Sequence, residues 1–165
     1  MKRHFMAIGI AVFLAFYFTV GSVSAEMVQL KHFTEVLETL KAGYTVKAVF
    51  HYKLCKLINE NEEVEKEKVP DAIGGMELVT FEYFATNSIR NKKAFIAFSE
   101  KVLIDHVTYD FVNNYVKVRI YDDNTVRIIA KYLAPNTNEV KMDESFYTVI
   151  NDGKNNGGAY FYVNR

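Results

Sequence analysis

Apolar residues early in the chain follow the spacing of an α-helix. Positions i, i+3, i+4 and i+7 are occupied by Phe33, Val36, Leu37 and Leu40. Residues at this spacing share one helical face, while Glu35 and Glu38 lie on the other side. Gly43 then supplies the left-handed backbone conformation at which many helices end. The pattern predicts one helix over residues 30–42.

Beyond this helix the period changes from 3.6 residues to two, which is typical of strands that bury one face. Segments rich in Val, Ile, Phe and Tyr, separated by Gly, Pro, Asn or Asp, predict about seven strands. The eight candidate segments, of which 93–98 and 102–106 are short candidates, are residues 44–51, 76–85, 93–98, 102–106, 116–120, 126–130, 140–150 and 159–163. The charge-dense stretch 59–68 and the glycine-rich stretch 151–158 are predicted loops.

The clearest local unit is a hairpin around Asp122, Asp123 and Asn124, because Asp and Asn tolerate turn dihedrals. Its inward positions are Val116, Val118 and Ile120 before the turn, and Val126, Ile128 and Ala130 after it. Short spacings of this kind predict antiparallel pairing. The expected fold class is mainly β (α+β), with one N-terminal helix followed by about seven antiparallel strands in a meander or a partly open barrel.

Two parts of this pattern carry more specific expectations. The segment 76–85 has apolar residues on both faces, which predicts a strand buried on both sides. Val107, Tyr109 and Phe111 fall on odd positions, whereas the hairpin faces inward at even positions. If all these residues face the core, the alternation must shift by one residue between the two groups. A bulge or tight turn near residues 113–114 is expected to provide this shift.

The first 25 residues have the three-part order of a secretory signal peptide. A basic start at Lys2 and Arg3 precedes an uncharged apolar run over residues 5–20, and small residues follow up to Ala25. The run is shorter than the roughly 20 residues that span a bilayer. Cleavage is expected between Ala25 and Glu26. It would leave one secreted domain, residues 26–165, in the periplasm or the medium and without a membrane segment, and an uncleaved anchor is the alternative.

Composition narrows the function classes without identifying one. The 165 residues include 20 Lys+Arg and 20 Asp+Glu, so the formal net charge is zero. A nucleic-acid-binding domain usually carries a basic surplus, which argues against nucleic acid as the partner. The 11 Tyr and 13 Phe are a heavy aromatic load. Tyrosines suit binding surfaces, although aromatic residues also simply populate strands and cores.

Cys55 is the lone thiol, so no disulfide can form within the chain. An unpaired Cys in an exported protein is a candidate reactive or intermolecular thiol. His51 and His106 are the candidate bases for a Cys55 nucleophile, but no local catalytic signature surrounds this Cys. A packed, reduced Cys55 is the simpler interpretation.

No other motif predicts catalysis, a metal or a cofactor. The histidines and the Cys show no HxH, HExxH or CxxC spacing. The turn at residues 122–124 lacks the distant Glu of a calcium loop, and the adjacent Asp143 and Glu144 point to opposite faces of a strand. The stretch 153–158 lacks the Lys-Ser/Thr end of a P-loop. We therefore expect no catalytic residue, no metal site and no cofactor.

Three stretches, taken in this order, resemble the VirK family of small exported bacterial proteins, named after a virulence-region product. They are residues 37–46 followed by Cys55, then Ile73-Gly74-Gly75-Met76 with Phe98-Ser99, then Tyr115-Val116-Lys117-Val118-Arg119-Ile120 with Asp123, Val126 and Leu133. The resemblance extends over residues 33–162. It implies export, is compatible with a role in virulence or host contact, and carries no established activity or catalytic residue.

One departure from the family concerns its cysteines. Members often carry a second cysteine near the last strands, where this chain has Phe146 and Tyr147. The bridge to Cys55 that the resemblance would imply is therefore lost.

The sequence leaves three functions open. The first is a secreted, non-enzymatic module that binds a protein partner or a small apolar ligand through aromatic and loop surfaces. The second is a lipocalin-like carrier of an apolar small molecule, which needs a hollow barrel. The third is a hydrolase that uses Cys55 with His51 or His106.

Overall fold

The computed structural model describes residues 26–59 and 62–165. The predicted signal peptide, residues 1–25, lies outside the described residues, and Glu26 is the first residue described. Cleavage after Ala25 therefore stays a prediction.

One helix and eleven strands form in the described residues. The helix, α1, spans Phe33–Lys41. The strands are β1 (Met27–Leu30), β2 (Val46–His51), β3 (Lys56–Asn59), β4 (Glu62–Glu63), β5 (Ile73–Leu78), β6 (Glu82–Phe84), β7 (Phe95–His106), β8 (Asp110–Tyr121), β9 (Thr125–Leu133), β10 (Val140–Val149) and β11 (Ala159–Asn164). Strands account for 54% and helical segments for 11%, which confirms the mainly β class.

The strands form two antiparallel sheets that do not close into a barrel. The smaller sheet has the order β1-β11-β2-β5, and the larger has the order β4-β3-β10-β9-β8-β7-β6. Consecutive strands β6 to β10 are neighbours in the larger sheet, which confirms the predicted meander there. The hairpin between β8 and β9 also forms as predicted, with Ile120 opposite Val126.

The two sheets enclose the apolar core between their inner faces. Three phenylalanines fill its centre, and the rings of Phe50 and Phe161 meet edge to face with centroids 6.3 Å apart. Phe146 reaches the same core from the larger sheet. Alternate residues of the central strands are buried, as expected when one face of each sheet is covered. In β8 and β9 these are Val118, Ile120, Val126 and Ile128.

The helix adds its apolar face to this core, but its first turn is held by a distant part of the chain. Phe33, Val36, Leu37 and Leu40 are all buried, as the helical spacing predicts. His32 occupies the N-cap position without making a side-chain hydrogen bond. The backbone N–H of Phe33 instead donates to Oδ1 of Asn124, at 2.7 Å, from the turn between β8 and β9. This hydrogen bond satisfies one of the amides that every helix leaves without an internal partner.

The two sheets differ in length, so the smaller covers only part of the larger. Strands β7 and β8 each have 12 residues, whereas β2, β5 and β11 each have six. Beyond the covered region, the rings of His106, Tyr109 and Tyr132 pack together with centroids 4.8 to 6.0 Å apart. Val112 is buried but lies outside the main core cluster. We call this uncovered region of β7 to β10 the open end.

Several strand predictions were wrong in their details. The segment 76–85 does not form one doubly buried strand, because β5 and β6 belong to different sheets. Val79, at the crossing between them, is 77% exposed. The segments 93–98 and 102–106 form the single strand β7, and residues 27–30, partly assigned to the helix, form β1.

The predicted slip near residues 113–114 is also absent. Pairing between β7 and β8 runs without interruption from Phe95 opposite Tyr121 to His106 opposite Asp110. Two of the odd-numbered apolar residues lie off the core face: Val107 is fully exposed in the turn, and Phe111 points to the outer face. Tyr109, also in the turn, packs against His106 and Tyr132 at the open end. The alternation therefore needs no bulge to keep one core face.

Replacing Asn124 with Gly tests the capping contact between the hairpin and the helix. Asn124 has a φ of +66°, and Asn138, which has a φ of +55° and is exposed, provides a matched control. Glycine tolerates both conformations, so Asn138→Gly should change stability little. Asn124→Gly should lower the free energy of unfolding by about 1 kcal/mol more than Asn138→Gly, the usual effect of losing a cap. Urea unfolding followed by circular dichroism measures both, and equal effects would contradict a capping role.

Candidate functional site

The outer face of the larger sheet, which points away from the smaller sheet, carries more basic than acidic residues on β7 to β10, where its acidic members are Asp105 and Asp143. Residues opposite one another across neighbouring strands share a face, so the pairings identify its members. On β7, β8 and β9 the basic members are Lys101, Lys117, Arg119, Arg127 and Lys131. Lys131 is paired with Asp143 at 2.7 Å. The chain is neutral as a whole, so this basic face reflects an uneven distribution of charge.

Two arginines occupy directly opposite positions at the centre of this face. Arg119 on β8 pairs with Arg127 on β9. Like charges at directly opposite positions destabilise a sheet. The ion pairs found in the described part of the chain are all formed by lysines, so neither arginine has a carboxylate partner there. The pair is thus an unfavourable arrangement for folding alone.

Aromatic rings support both guanidinium groups. The guanidinium carbon of Arg119 lies 5.1 Å from the ring centroid of Phe95, and that of Arg127 lies 5.4 Å from the centroid of Tyr147. Such cation–π contacts fix the orientation of a guanidinium group and leave its N–H edge available. Nε of Arg127 is buried and has no hydrogen-bond partner in the described residues. A buried donor without a hydrogen-bond partner lowers the stability of the fold by about 1–3 kcal/mol. An acceptor that reaches this atom would therefore bind favourably.

The two arginines lie in a surface groove of about 540 Å³, which we call the arginine groove. Small-molecule sites typically have volumes of roughly 300–1,000 Å³. One rim is the loop before β7, where the Asn91 side chain donates to the carbonyl oxygens of Ala85 and Lys93, both at 2.8 Å. Lys93 is held by an ion pair with Asp123. The main lining residues are Lys92, Phe95, Arg119, Tyr121, Arg127 and Tyr147.

This arrangement is suited to holding an oxyanion. Arginine presents a planar fork of donors that matches the oxygens of carboxylate and phosphate groups. The two arginines lie opposite one another on one strand pair, and each fork rests on a ring of the next strand outward, Phe95 on β7 for Arg119 and Tyr147 on β10 for Arg127. A ligand with an oxyanion next to an apolar or aromatic body would contact both parts of the groove.

Cys55, the candidate thiol from the sequence, lies elsewhere, in the core. It is 6% exposed, and Sγ donates to the carbonyl oxygen of His51 at 3.4 Å. Burial raises the pKa of the thiol to about 11, with a smaller opposing effect from a hydrogen bond to Thr148. A Cβ at Gly158 would lie 2.9 Å from Sγ, so the site is also closely packed. A buried, protonated thiol is poorly placed both for attack on a substrate and for a bridge to another chain.

The two histidines proposed as bases do not join Cys55 in a catalytic group. The ring of His51 packs against Tyr160, with centroids 5.0 Å apart, while His106 belongs to the aromatic cluster of the open end. Within residues 26–59 and 62–165, no three His, Cys, Asp or Glu side chains gather closely enough to hold a metal ion. None of the described helical segments has the length and hydropathy needed to cross a membrane.

Comparison with known proteins identifies the family of the chain. The family model described as "VirK protein" matches residues 29–138, about two thirds of the sequence. The chain belongs to the VirK family. Its structure is similar to the crystal structure of a VirK family protein from Legionella pneumophila, with a TM-score of 0.60 at 12% sequence identity, covering 81% of this chain and 98% of the other. No curated protein matches the chain.

The structural relative supports the fold alone, because residue roles cannot be transferred at 12% sequence identity. The family match confirms the resemblance inferred from residues 37–46, the glycine pair and the hairpin.

Sequence reasoning missed the arginine pair, although the signal for it was present. The turn at residues 122–124 fixes the register of the hairpin, and this register places residue 119 opposite residue 127. The inward residues of the hairpin are those predicted, and the same alternation places Lys117, Arg119, Arg127 and Lys131 together on the other face.

Thiol labelling tests the placement of Cys55. In the native protein, labelling by a soluble aromatic disulfide at pH 7 should proceed no faster than unfolding, because the thiol is buried and protonated. In denaturant the same residue should react at the rate of a free thiol. Stoichiometric labelling of the folded protein within seconds would contradict this placement and restore Cys55 as a candidate nucleophile.

Proposed function

We propose that this VirK family protein is an exported, non-enzymatic binding module that holds an oxyanion of its partner in the arginine groove. The observation that carries the proposal is the directly opposed pair, Arg119 and Arg127, without carboxylate partners among the described residues. A bound oxyanion would relieve their repulsion and supply an acceptor for Nε of Arg127. Export is supported by the signal-like pattern of residues 1–25.

The expected ligand group is a carboxylate or phosphate attached to an apolar or aromatic body. The oxyanion would receive hydrogen bonds from the two guanidinium groups, while the rings of Tyr121 and Tyr147 would contact the body. An exported protein meets such groups on proteins and small molecules of the envelope, the medium or a host. Virulence or host interaction is one setting for this activity.

Binding without catalysis is supported by the composition of the groove. Its lining residues include no Cys, His, Asp or Glu, the side chains that most often serve as nucleophile or general base. The Cys55 hydrolase alternative draws no support from the buried, protonated thiol described above.

The carrier of an apolar small molecule is a weaker alternative. A lipocalin-like carrier encloses its ligand in a barrel, whereas Phe50, Phe146 and Phe161 fill the space between these two open sheets. The space that remains between the sheets at the open end is a cleft of about 250 Å³ that is open on one side, so it does not enclose a ligand as a barrel does.

Calorimetric titration with phenyl phosphate tests the proposal. Arg119→Gln and Arg127→Gln should each weaken binding about tenfold or more, because a hydrogen bond to a charged group contributes about 1.5–3 kcal/mol. Lys117→Gln is the matched control: Lys117 lies on the same face of β8, two residues from Arg119, and does not line the groove. Absence of saturable binding to the wild type at millimolar concentration, or equal losses in all three variants, would contradict the proposal.

The same arginines should be dispensable for folding. Removing one member of a like-charged cross-strand pair typically stabilises a sheet by about 0.2–1 kcal/mol. Arg119→Gln should therefore leave the free energy of unfolding unchanged or slightly higher in buffer without phosphate. A loss of stability greater than about 1 kcal/mol on urea unfolding would indicate that Arg119 serves the fold.

A further inference from the structure

The cleft between the two sheets at the open end has apolar walls contributed by both sheets. Phe50 and Met76 line it from the smaller sheet, and Val102, Ile104 and Val116 line it from the larger sheet. It arises where the six-residue strand β5 ends and the longer β7 and β8 continue. The volume of about 250 Å³ admits a small molecule. This cleft is separated from the arginine groove by the thickness of the larger sheet.

A tyrosine hydroxyl lies at one wall of this cleft in a fixed position. The ring of Tyr52 packs against Phe146, with centroids 4.7 Å apart. A Cβ at Gly74 would lie 2.9 Å from the Tyr52 hydroxyl oxygen, so glycine at this position leaves room for the ring. Burial, followed by smaller effects of Cys55, Tyr132 and Glu144, raises the pKa of Tyr52 to about 12. The hydroxyl is therefore neutral, and half-buried tyrosines in such positions usually find a hydrogen-bond partner.

The charged residue that lines the cleft is negative. It is Glu100, an exposed residue of β7. Glu144 lies on the same inner face three strands away, on β10, in one row with Ala130 and Val116. The residues that line the cleft include no Lys or Arg. Lys47, which lines a neighbouring depression together with Glu100, is paired with Glu77 at 3.3 Å. Glu100 itself takes part in no ion pair in the described part of the chain.

We infer that this cleft is a second binding site, for a small molecule with an apolar body and an ammonium head. The apolar body lies between Phe50, Met76 and Val116. The ammonium group meets the carboxylate of Glu100 and the hydroxyl of Tyr52, and the ring of Tyr52 favours a cation by its quadrupole. The site is independent of the arginine groove and opposite to it in charge preference.

Titration of the protein with n-hexylammonium, hexanoate and 1-hexanol, followed by amide chemical shifts, tests this inference. These probes share one apolar body and differ in the charge of the head. Hexylammonium should bind at least about tenfold more tightly than hexanoate, since one charge-assisted contact is gained and one repulsion is avoided. The shifted amides should belong to β5, β7 and β8.

Four variants, two of them controls, separate the contribution of the carboxylate from that of the apolar cleft. Glu100→Gln should remove most of the preference for hexylammonium over hexanol, and Glu82→Gln, an exposed control outside the cleft lining, should not. Val102→Trp fills the cleft from a position that is 47% exposed, so it should abolish binding while the protein stays folded. Arg119→Gln should have no effect.

Failure of hexylammonium to bind at millimolar concentration, or hexanoate binding as tightly, would overturn the inference. Full retention of the hexylammonium preference in Glu100→Gln would overturn it as well. Because the arginine groove is tested with phenyl phosphate and with Arg119→Gln, failure of either site leaves the other result intact.

Discussion

The unequal length of the two packed sheets is the constraint on which the rest of the structure depends. Six-residue strands can cover only about half of a twelve-residue strand, so the smaller sheet buries one half of the inner face and leaves the other half open. The covered half holds the phenylalanine core and receives the helix. The cleft lies where the two halves meet, and the uncovered half forms the aromatic cluster of the open end. The place of the cleft therefore follows from how far the core extends along the larger sheet, whereas the arginine groove lies on the outer face.

Strand alternation then gives the two faces of the larger sheet opposite electrostatic character. Successive side chains of a strand point to opposite faces, so a segment such as Val116-Lys117-Val118-Arg119 separates apolar from basic residues without any change of backbone. The outer face gathers arginines and lysines, whereas Glu100 and Glu144 face inward at the open end. A formal net charge of zero conceals this separation. A balanced net charge excludes a uniformly basic protein, but it does not determine the charge of any single face of the sheet.

The parts that could be predicted from sequence are those with local causes. The helix followed from its apolar spacing and the central hairpin from its Asp-Asp-Asn turn. The N-cap of the helix could not be found this way, because its acceptor on Asn124 lies 91 residues from Phe33. The prediction of one strand over residues 76–85 was wrong because the apolar pattern indicates that a residue is buried but does not indicate which sheet covers it. The arginine pair was predictable in principle, since the turn fixes the register, but its lack of carboxylate partners depends on the folded chain.

The most direct test of the central proposal observes the arginines themselves. Guanidinium N–H resonances of the wild-type protein can be followed by nitrogen-15 NMR during titration with phenyl phosphate. The account predicts that the Nε–H resonances of Arg119 and Arg127 shift together and saturate with a single dissociation constant, because one oxyanion accepts from both forks. Unchanged arginine resonances, with the shifts confined to lysines or to the inner cleft, would contradict it.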